Sequence, residues 1–328
     1  MVCTIGFFDG VHRGHQCLIR QVRDEALRRG ARSLLITFDR HPRSVFAPES
    51  VPQLLTTALE RQALLRTTGV DDIFVLPFDR AMAAFTAREF MQRVLKEQLG
   101  VDVLVIGYDH RFGRPLSDSR SGGEGFSEYQ AYGKELGIEV VLARELEGEH
   151  ISSSAIRRAL ADGDVAKAAR LLGRPYAWTG VVVHGHAVGR RLGFPTANLE
   201  AAEPEKVRPA RGVYAVKVLL SATNVAGTTA EAMGATAEAM VNIGNRPTLD
   251  NGSELSIEAN LLDFRGDLYG QALILLFIAR LREERQFSSA AELAEQLQRD
   301  RRATLAACNT AFTAYPIPFS TLATKATP

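Results

Sequence analysis

The sequence predicts two folds in one chain: a doubly wound parallel α/β sheet, followed by a small antiparallel β-barrel with a C-terminal helix. Up to about residue 172, short apolar runs alternate with amphipathic helical segments, which is typical of a sheet with helices on both faces. After Gly173-Arg174-Pro175, short strands with turn signals follow one another until a helical pattern begins at residue 290. We therefore expect domains over 1–172 and 173–312, and a tail over 313–328.

The elements of the first half follow from apolar periodicity. A short strand over 2–5 leads into a helix whose apolar positions Leu18, Ile19, Val22 and Ala26 repeat at helical spacing before Gly30. The same criteria predict strands at 33–38, 73–76, 103–106 and 139–143, and helices at 59–66, 87–99, 127–136 and, interrupted near residue 163, 154–172.

The second half is dominated by predicted strands. We expect them at 179–183, 212–220, 240–243, 255–262 and 272–279, with a helix at 290–310. Between two of these strands, residues 221–239 are rich in Ala, Thr and Gly, which favours a mobile surface loop.

Composition excludes several classes of protein. A net charge of +1 argues against nucleic acid or a membrane surface as the main partner. Cys3, Cys17 and Cys308 are odd in number and lack metal-ligand spacing, so neither a disulfide framework nor a zinc site is indicated. The apolar run Ala272–Ala279 is too short to span a bilayer, and we expect a cytoplasmic protein. The oligomeric state stays open.

The most informative motif is GFFDGVHRGH, residues 6–15, where the first strand turns into a helix. His12 and His15 are three apart and share one face of that helix. Gly10 and Gly14 leave the backbone bare, so that a phosphate can approach the free N–H groups of the helix start. The motif predicts an anion site with proton donors, and the alternative is a solvated helix cap. It resembles the H-x-G-H signature of the nucleotidyltransferase superfamily.

Two other segments of the first half carry candidate ligand-binding residues. Ser152, Ser153 and Ser154 precede an amphipathic turn with Arg157, and a helix cap accounts for only one of the three hydroxyls. The segment is therefore either a cap or a clasp for a polyphosphate. Residues 107–113 follow a predicted strand and are expected to line the same crevice as the histidines.

In the second half, GHAVGRRLGFPTANL over residues 185–199 combines turn glycines, arginines and oxygen ligands. The glycines permit close approach of phosphates, and Thr196 with Asn198 offers oxygens suited to Mg²⁺. A solvated basic hairpin is the alternative. Further along, strand alternation places Glu258 on the polar face of residues 255–261, which makes it the best candidate for a general base. An ordinary solvated strand face is the competing interpretation.

From Thr4 to about Arg302, the chain resembles the bifunctional riboflavin kinase/FMN adenylyltransferase family of prokaryotes, also called FAD synthetase. The matching motifs occur in order: IGFFDGVHRGHQ (5–16), TFDRHPR (37–43), GYDHRFGR (107–114), ISSSAIRRAL (151–160), LLGRPY (171–176), GRRLGFPTANL (189–199), RGVYAV (211–216), VNIGNRPT (241–248), IEANLLDFRGDLYG (257–270) and LREERQF (281–287). Two residues depart from the family pattern: Phe7 stands where a small or polar residue is frequent, and His110 where Phe is usual.

The resemblance implies that the first domain is a nucleotidyltransferase that transfers AMP from ATP to FMN, which gives FAD and pyrophosphate. His12 and His15 would bind and neutralise the ATP phosphates. The implied phosphate-binding set is Gly6, Asp9, Gly10, Gly14, Ser152, Ser153, Ser154 and Arg157. Asp109 and Arg111 would line the flavin end of the crevice.

By the same resemblance, the second domain phosphorylates riboflavin to FMN. Thr196 and Asn198 would hold Mg²⁺ with ATP, and Glu258 would take the proton of the ribityl hydroxyl. The remaining residues implied for ATP binding are Gly185, Gly189, Arg190 and Gly193. Two alternatives stay open: a monofunctional riboflavin kinase whose first half is an inactive scaffold, and a flavin or nucleotide sensor without turnover.

Overall fold

The computed structural model describes residues 1–107, 110–114, 124–184, 194–220, 236–247 and 253–310. The chain divides into two compact units. The first comprises Met1–Gln53 and Arg61–Ile151, and the second Leu54–Glu60 and Ser152–Pro328. The predicted domain boundary at residue 172 stays a prediction.

The first unit contains a five-stranded, fully parallel sheet, which confirms the predicted fold class. The strands are β1 Val2–Ile5, β2 Ser33–Phe38, β3 Asp72–Leu76, β4 Val103–Ile106 and β5 Glu139–Leu142. Their order in the sheet is β3-β2-β1-β4-β5. The chain leaves β1 toward β2 on one side and returns through β4 on the other, so the topological switch point lies between β1 and β4.

Burial on both faces of the sheet explains the apolar strands. Cys3 and Ile5 of β1 pack in one apolar cluster with Leu104 of β4. Val2 and Val103 belong to a separate cluster on the other side of the alternation. The three central strands β1, β2 and β4 are buried along their whole length, so their sequences are continuous apolar runs, whereas the edge strands β3 and β5 are partly exposed.

The helices of the first unit fall close to their predicted positions. The predicted helix over 87–99 consists of a short α-helix, Ala87–Phe90, and a wider helix, Met91–Gln98. The wider helix has i→i−5 hydrogen bonds, such as the one from Leu99 N–H to Val94 O at 3.0 Å. The α-helices are α1 Arg13–Arg28, α2 Arg43–Phe46, α3 Ala58–Arg66, α4 Arg80–Ala83, α5 Ala87–Phe90 and α6 Phe126–Leu136. Residues 58–60 of α3 belong to the second unit.

The second unit holds a closed antiparallel barrel, which confirms the predicted fold class. The strands are β6 Tyr176–Val183, β7 Ala197–Ala201, β8 Gly212–Leu220, β9 Thr236–Pro247, β10 Ser253–Leu261 and β11 Ala272–Arg282, in the order β10-β7-β6-β11-β8-β9. Helices α7 Ser153–Ala161 and α8 Val165–Leu172 precede the barrel, and α9 Ala290–Thr310 packs on β8, β9 and β11.

Two features of the barrel differ from the sequence prediction. Strand β7 was not predicted, because its residues follow a run of glycines and arginines that indicates a hairpin. Part of the predicted loop, residues 236–239, belongs to β9, where Ala239 pairs with Val216 of β8. Residues 221–235 of that loop and the predicted tail lie outside the described residues.

Leu54–Glu60 comes from the first half of the sequence but belongs to the barrel unit. The N–H of its first residue donates to Glu205 O at 2.8 Å, and its carbonyl accepts from Val207 N–H at 2.9 Å. Lys206 lies between these two partners, and its Nζ is 2.5 and 2.6 Å from the two carboxylate oxygens of Glu60. The side chains of this pair are only 3% and 5% exposed. Each of the two charges therefore stabilises the other, because an unpaired charge in the protein interior lowers the stability of the fold.

We expect Glu60→Gln to lower the free energy of unfolding by about 3–5 kcal/mol, because it leaves the Lys206 ammonium buried without a counter-charge. Guanidinium denaturation of the full chain measures this loss. Thr57→Val is the matched control: it removes the Oγ1 that accepts Glu60 N–H at 3.2 Å but keeps the ion pair. It should cost about 1 kcal/mol. Equal losses in both variants would contradict the importance of the pair.

Candidate active sites

The turn after β1 has an unusual backbone. Phe8 and Val11 adopt positive φ angles of 54° and 38°, and Gly10 adopts 79°. A β-branched residue such as Val11 strongly disfavours this region, so the surroundings must impose it. Gly6 precedes the turn at the end of β1, and its N–H donates to Ile36 O at 3.0 Å. The sharp reversal brings the chain directly from the carboxyl end of β1 to the start of α1.

His12 and His15 stack at the start of α1, with ring centroids 3.5 Å apart and an interplanar angle of 17°. His12 is the N-cap of the helix, and its Nδ1 accepts the His15 backbone N–H at 3.2 Å. A neutral His12 ring therefore carries its proton on Nε2, where it can donate to an anion. Gly14 lies against this ring: a Cβ there would be 3.2 Å from Nδ1 and Cε1 of His12. The structure thus brings together the two histidines and the turn glycines that the sequence singled out.

A buried arginine that the sequence analysis missed lies beside the same turn. Arg61 is 1% exposed, its Nη2 donates to Phe38 O at 2.8 Å, and its guanidinium lies 4.1 Å from the centroid of the Phe7 ring. Burial lowers the pKa of Arg61, and the negative charges of Asp9 and Asp39 oppose this shift. Asp9, which is 4% exposed, therefore has a buried cation near it. In sequence, Arg61 is an ordinary polar residue of a helix and gives no signal of this role.

An apolar cavity of about 180 Å³ lies in the first unit and includes Ile5, the last residue of β1. Arg111 lines it, whereas Asp109 lies outside the described residues, and the role of both at the flavin end of the crevice stays a prediction. Its other lining residues are mostly aromatic or aliphatic: Phe38, Pro42, Phe46, Phe78, Met82, Ala83, Phe85, Phe90, Phe112 and Gly113. Such a cavity suits a flat, largely apolar ring system.

His110, which departs from the family pattern, has a buried Nε2 with no hydrogen-bond partner among the described residues. Burial, together with a smaller effect of the positive charge of Arg111, lowers the pKa of His110 to about 4. The imidazole is therefore neutral at physiological pH. Its ring centroid lies 5.8 Å from that of Phe112. A neutral imidazole is compatible with the aromatic surroundings that the usual Phe would share.

The serine motif begins the second unit. Ser152 caps α7, because its Oγ accepts the Ala155 N–H at 3.2 Å. This bond accounts for one of the three hydroxyls, as the cap interpretation requires. Ser153 is partly buried, Ser154 is exposed and Arg157 is partly buried. The phosphate-binding role of these four residues stays a prediction.

In the barrel, strand register positions the predicted base. Glu258 of β10 is directly opposite Asn198 of β7 on one side and Asn242 of β9 on the other. Directly opposed residues project from the same face of a sheet, so the carboxylate lies between two amide side chains. Glu258 is half-buried and Asn198 is 8% exposed, which differs from a fully solvated strand face.

A cavity of about 430 Å³ in the barrel unit is lined by Thr196 and by residues of the apolar face of β10, including Ala259 and Leu261. Glu258 projects from the opposite face of that strand and is not among its lining residues. The turn before β7 is held in place, because Asn260 Nδ2 donates to Pro195 O at 2.7 Å. Thr196 therefore follows an anchored residue and precedes Asn198 by two positions.

The donor set at this turn fits a hard cation. Thr196 and Asn198 supply a hydroxyl and an amide oxygen, the class of ligand that Mg²⁺ accepts when nucleotide phosphates complete its shell. Elsewhere in the described ranges, His, Cys, Asp and Glu form no group of three or more that could hold a metal ion. The predicted ATP-binding residues Gly185, Gly189, Arg190 and Gly193 lie outside the described residues.

The parallel sheet with its histidine turn and the barrel with its carboxylate define a two-part transferase that handles phosphates. Comparison with known families supports this class. Residues 1–155 match the model of FAD synthetase, and residues 172–308 match the model of riboflavin kinase.

Over the described part of the chain, no helix has the length and apolar character needed to cross a bilayer.

Curated relatives match along most of the chain. The bifunctional riboflavin kinase/FMN adenylyltransferase of Escherichia coli K12 is 39% identical over 303 residues, which cover 91% of this chain and 90% of that protein. The Bacillus subtilis protein of the same name is 33% identical over 92% of this chain and 90% of its own length. The chain belongs to the bifunctional riboflavin kinase/FMN adenylyltransferase family.

A solved structure has the same fold. It is described as a macrolide-efflux protein from Streptococcus pneumoniae, and it aligns with a TM-score of 0.78 and 32% identity. The alignment covers 93% of each chain. The arrangement of a parallel sheet followed by a barrel is therefore shared along nearly the whole length of both chains.

Proposed function

We propose that this enzyme uses ATP twice, first to phosphorylate riboflavin in the barrel unit and then to adenylylate FMN in the sheet unit. The register that opposes Glu258 to Asn198, two residues after Thr196, is the observation that carries the proposal. A carboxylate base then lies opposite the Asn198 amide, which would be one oxygen ligand of a nucleotide-bound cation. ATP, riboflavin and FMN are the substrates, and the cytoplasmic location and lack of a nucleic-acid partner stay predictions.

In the kinase step, Glu258 would take the proton of the terminal ribityl hydroxyl as that oxygen attacks the γ-phosphorus of ATP. The bond from the γ-phosphorus to the bridging oxygen breaks, and ADP leaves. Thr196 and Asn198 would hold Mg²⁺, which when bound neutralises phosphate charge. The amide of Asn242, on the other side of Glu258, would orient the carboxylate.

In the transferase step, a phosphate oxygen of FMN would attack the α-phosphorus of ATP, and pyrophosphate would leave. No covalent intermediate is required, so catalysis consists of positioning and stabilisation of charge. His12 Nε2–H and the N–H groups at the start of α1 would bind the phosphates, with His15 stacked on His12. The aromatic cavity beside Arg111 would hold the flavin ring, and the binding of the leaving pyrophosphate by Ser152 to Ser154 and Arg157 stays a prediction.

We expect His15→Ala to reduce FAD formation by about two orders of magnitude or more, the range for loss of a group that stabilises charge in the transition state. The assay incubates the protein with riboflavin, ATP and Mg²⁺ and separates the flavins by chromatography. The unmodified enzyme should give FMN and FAD, whereas the variant should accumulate FMN. A folded variant that loses both activities equally would contradict the assignment of His15 to the transferase alone.

Glu258→Gln preserves shape but cannot accept a proton, so riboflavin phosphorylation should fall by about 10²- to 10⁴-fold. The same chromatographic assay, started from supplied FMN, should still give FAD at the normal rate. Glu254→Gln, a change on the same strand, serves as the control and should leave turnover near normal. If Glu258→Gln retained normal turnover, Glu258 would be an ordinary residue of a polar strand face.

A further inference from the structure

A second carboxylate lies on the same strand face as Glu258, in the LREERQF segment that carries no role so far. Gly244 of β9 is two residues after Asn242 and opposite Ser256, so it shares the face of the sheet that carries Glu258. A Cβ at residue 244 would collide with Oε1 of Glu284, would be 2.8 Å from its Cδ and would be 3.1 Å from Asn242 Nδ2. The Glu284 carboxylate therefore lies directly over the bare backbone of residue 244, next to the amide that borders the base.

The residues around Glu284 fix its position. Arg282 forms an ion pair with Asp300 of α9, with Nη2 to Oδ2 at 2.9 Å. Arg285 Nη2 donates to Gln296 Oε1 of the same helix at 2.8 Å. Arg282 and Arg285, which flank Glu284, are thus both bonded to α9. The Glu284 carboxylate between them contacts β9 at Gly244.

Glu284 has features of a ligand-binding group. Within the described residues it forms no ion pair, although two arginines are close in sequence, and its side chain is exposed. Its neighbours on the sheet face are polar: the amide of Asn242 and the hydroxyl of Ser256. An exposed carboxylate near a candidate base, in a segment bonded to α9, is a suitable acceptor for hydrogen bonds from hydroxyl groups.

We propose that Glu284 is a specificity residue of the kinase half, whose carboxylate accepts hydrogen bonds from the secondary hydroxyls of the polyhydroxyl side chain of the acceptor. This inference rests on the proposed kinase function. In this arrangement the terminal hydroxyl of the acceptor's side chain lies at Glu258. Its preceding hydroxyls extend along β9, past Asn242, to Glu284. The absence of a side chain at Gly244 leaves the room that this carboxylate occupies.

The test compares Glu284→Gln with Glu283→Gln in the full chain, because Glu283 is an adjacent exposed glutamate without the contact to Gly244. Loss of a charge-assisted hydrogen bond should raise the KM for riboflavin by about 10-fold or more in Glu284→Gln. The kcat and the KM for ATP should change little, and Glu283→Gln should resemble the unmodified enzyme. Gly244→Ala should raise the KM for riboflavin in the same way, because its Cβ displaces the carboxylate.

A flavin that carries a plain alkyl chain in place of the ribityl chain distinguishes loss of hydroxyl recognition from a general structural defect of the site. Its inhibition constant against riboflavin should be the same in Glu284→Gln and the unmodified enzyme. An unchanged KM for riboflavin in an active Glu284→Gln variant, or an equal loss of affinity for the alkyl flavin, would overturn the inference. Normal turnover in Glu258→Gln would instead overturn the proposed base, so the two failures are distinguishable.

Discussion

The pairing register of β7, β10 and β9 is the constraint on which the proposed kinase site depends. Glu258 lies between Asn198 and Asn242 only because the three strands pair in one register. A slip of one residue would replace Glu258 by the buried Ala259 and bring the carboxylate into the apolar interior. Closure of the barrel prevents such a slip, since each strand has a neighbour on both sides.

The two units solve the same chemical problem, the handling of ATP phosphates, by different means. In the proposed transferase site the backbone would contribute most to phosphate binding: a strained turn, glycines and the N-terminus of α1 surround two stacked histidines. In the proposed kinase site side chains would contribute most, because transfer to a hydroxyl requires a base and nucleotide transfer to a phosphate does not. The difference matches the chemistry of the two acceptors.

The sequence predicted what local patterns encode. Strand β1 and helix α9 have their predicted bounds, because apolar periodicity and turn residues specify both. Helical spacing and strand alternation also predicted the shared face of His12 and His15 and the polar strand face of Glu258, which the structure shows. The catalytic roles of these residues stay predictions. Strand β7 was not predicted because the glycines and arginines that precede it in the sequence indicate a hairpin.

Other residues of the proposed sites could not be predicted because their positions depend on contacts between distant segments. Arg61 lies beside Asp9 only after α3 packs near the ends of β1 and β2, and Asn242 borders Glu258 only through strand pairing. Glu284 lies over Gly244 because Arg282 and Arg285 are bonded to α9. None of these contacts has a signature in a single segment.

The central claim is that the two reactions use separate sets of residues within one chain. Mixing two variants tests it most directly: Glu258→Gln should lack FMN production, and His15→Ala should lack FAD production. With riboflavin, ATP and Mg²⁺, each variant alone should give little FAD, whereas the equimolar mixture should form FAD, because FMN released by one is adenylylated by the other. A mixture of two folded variants that produces no more FAD than either alone would contradict the account.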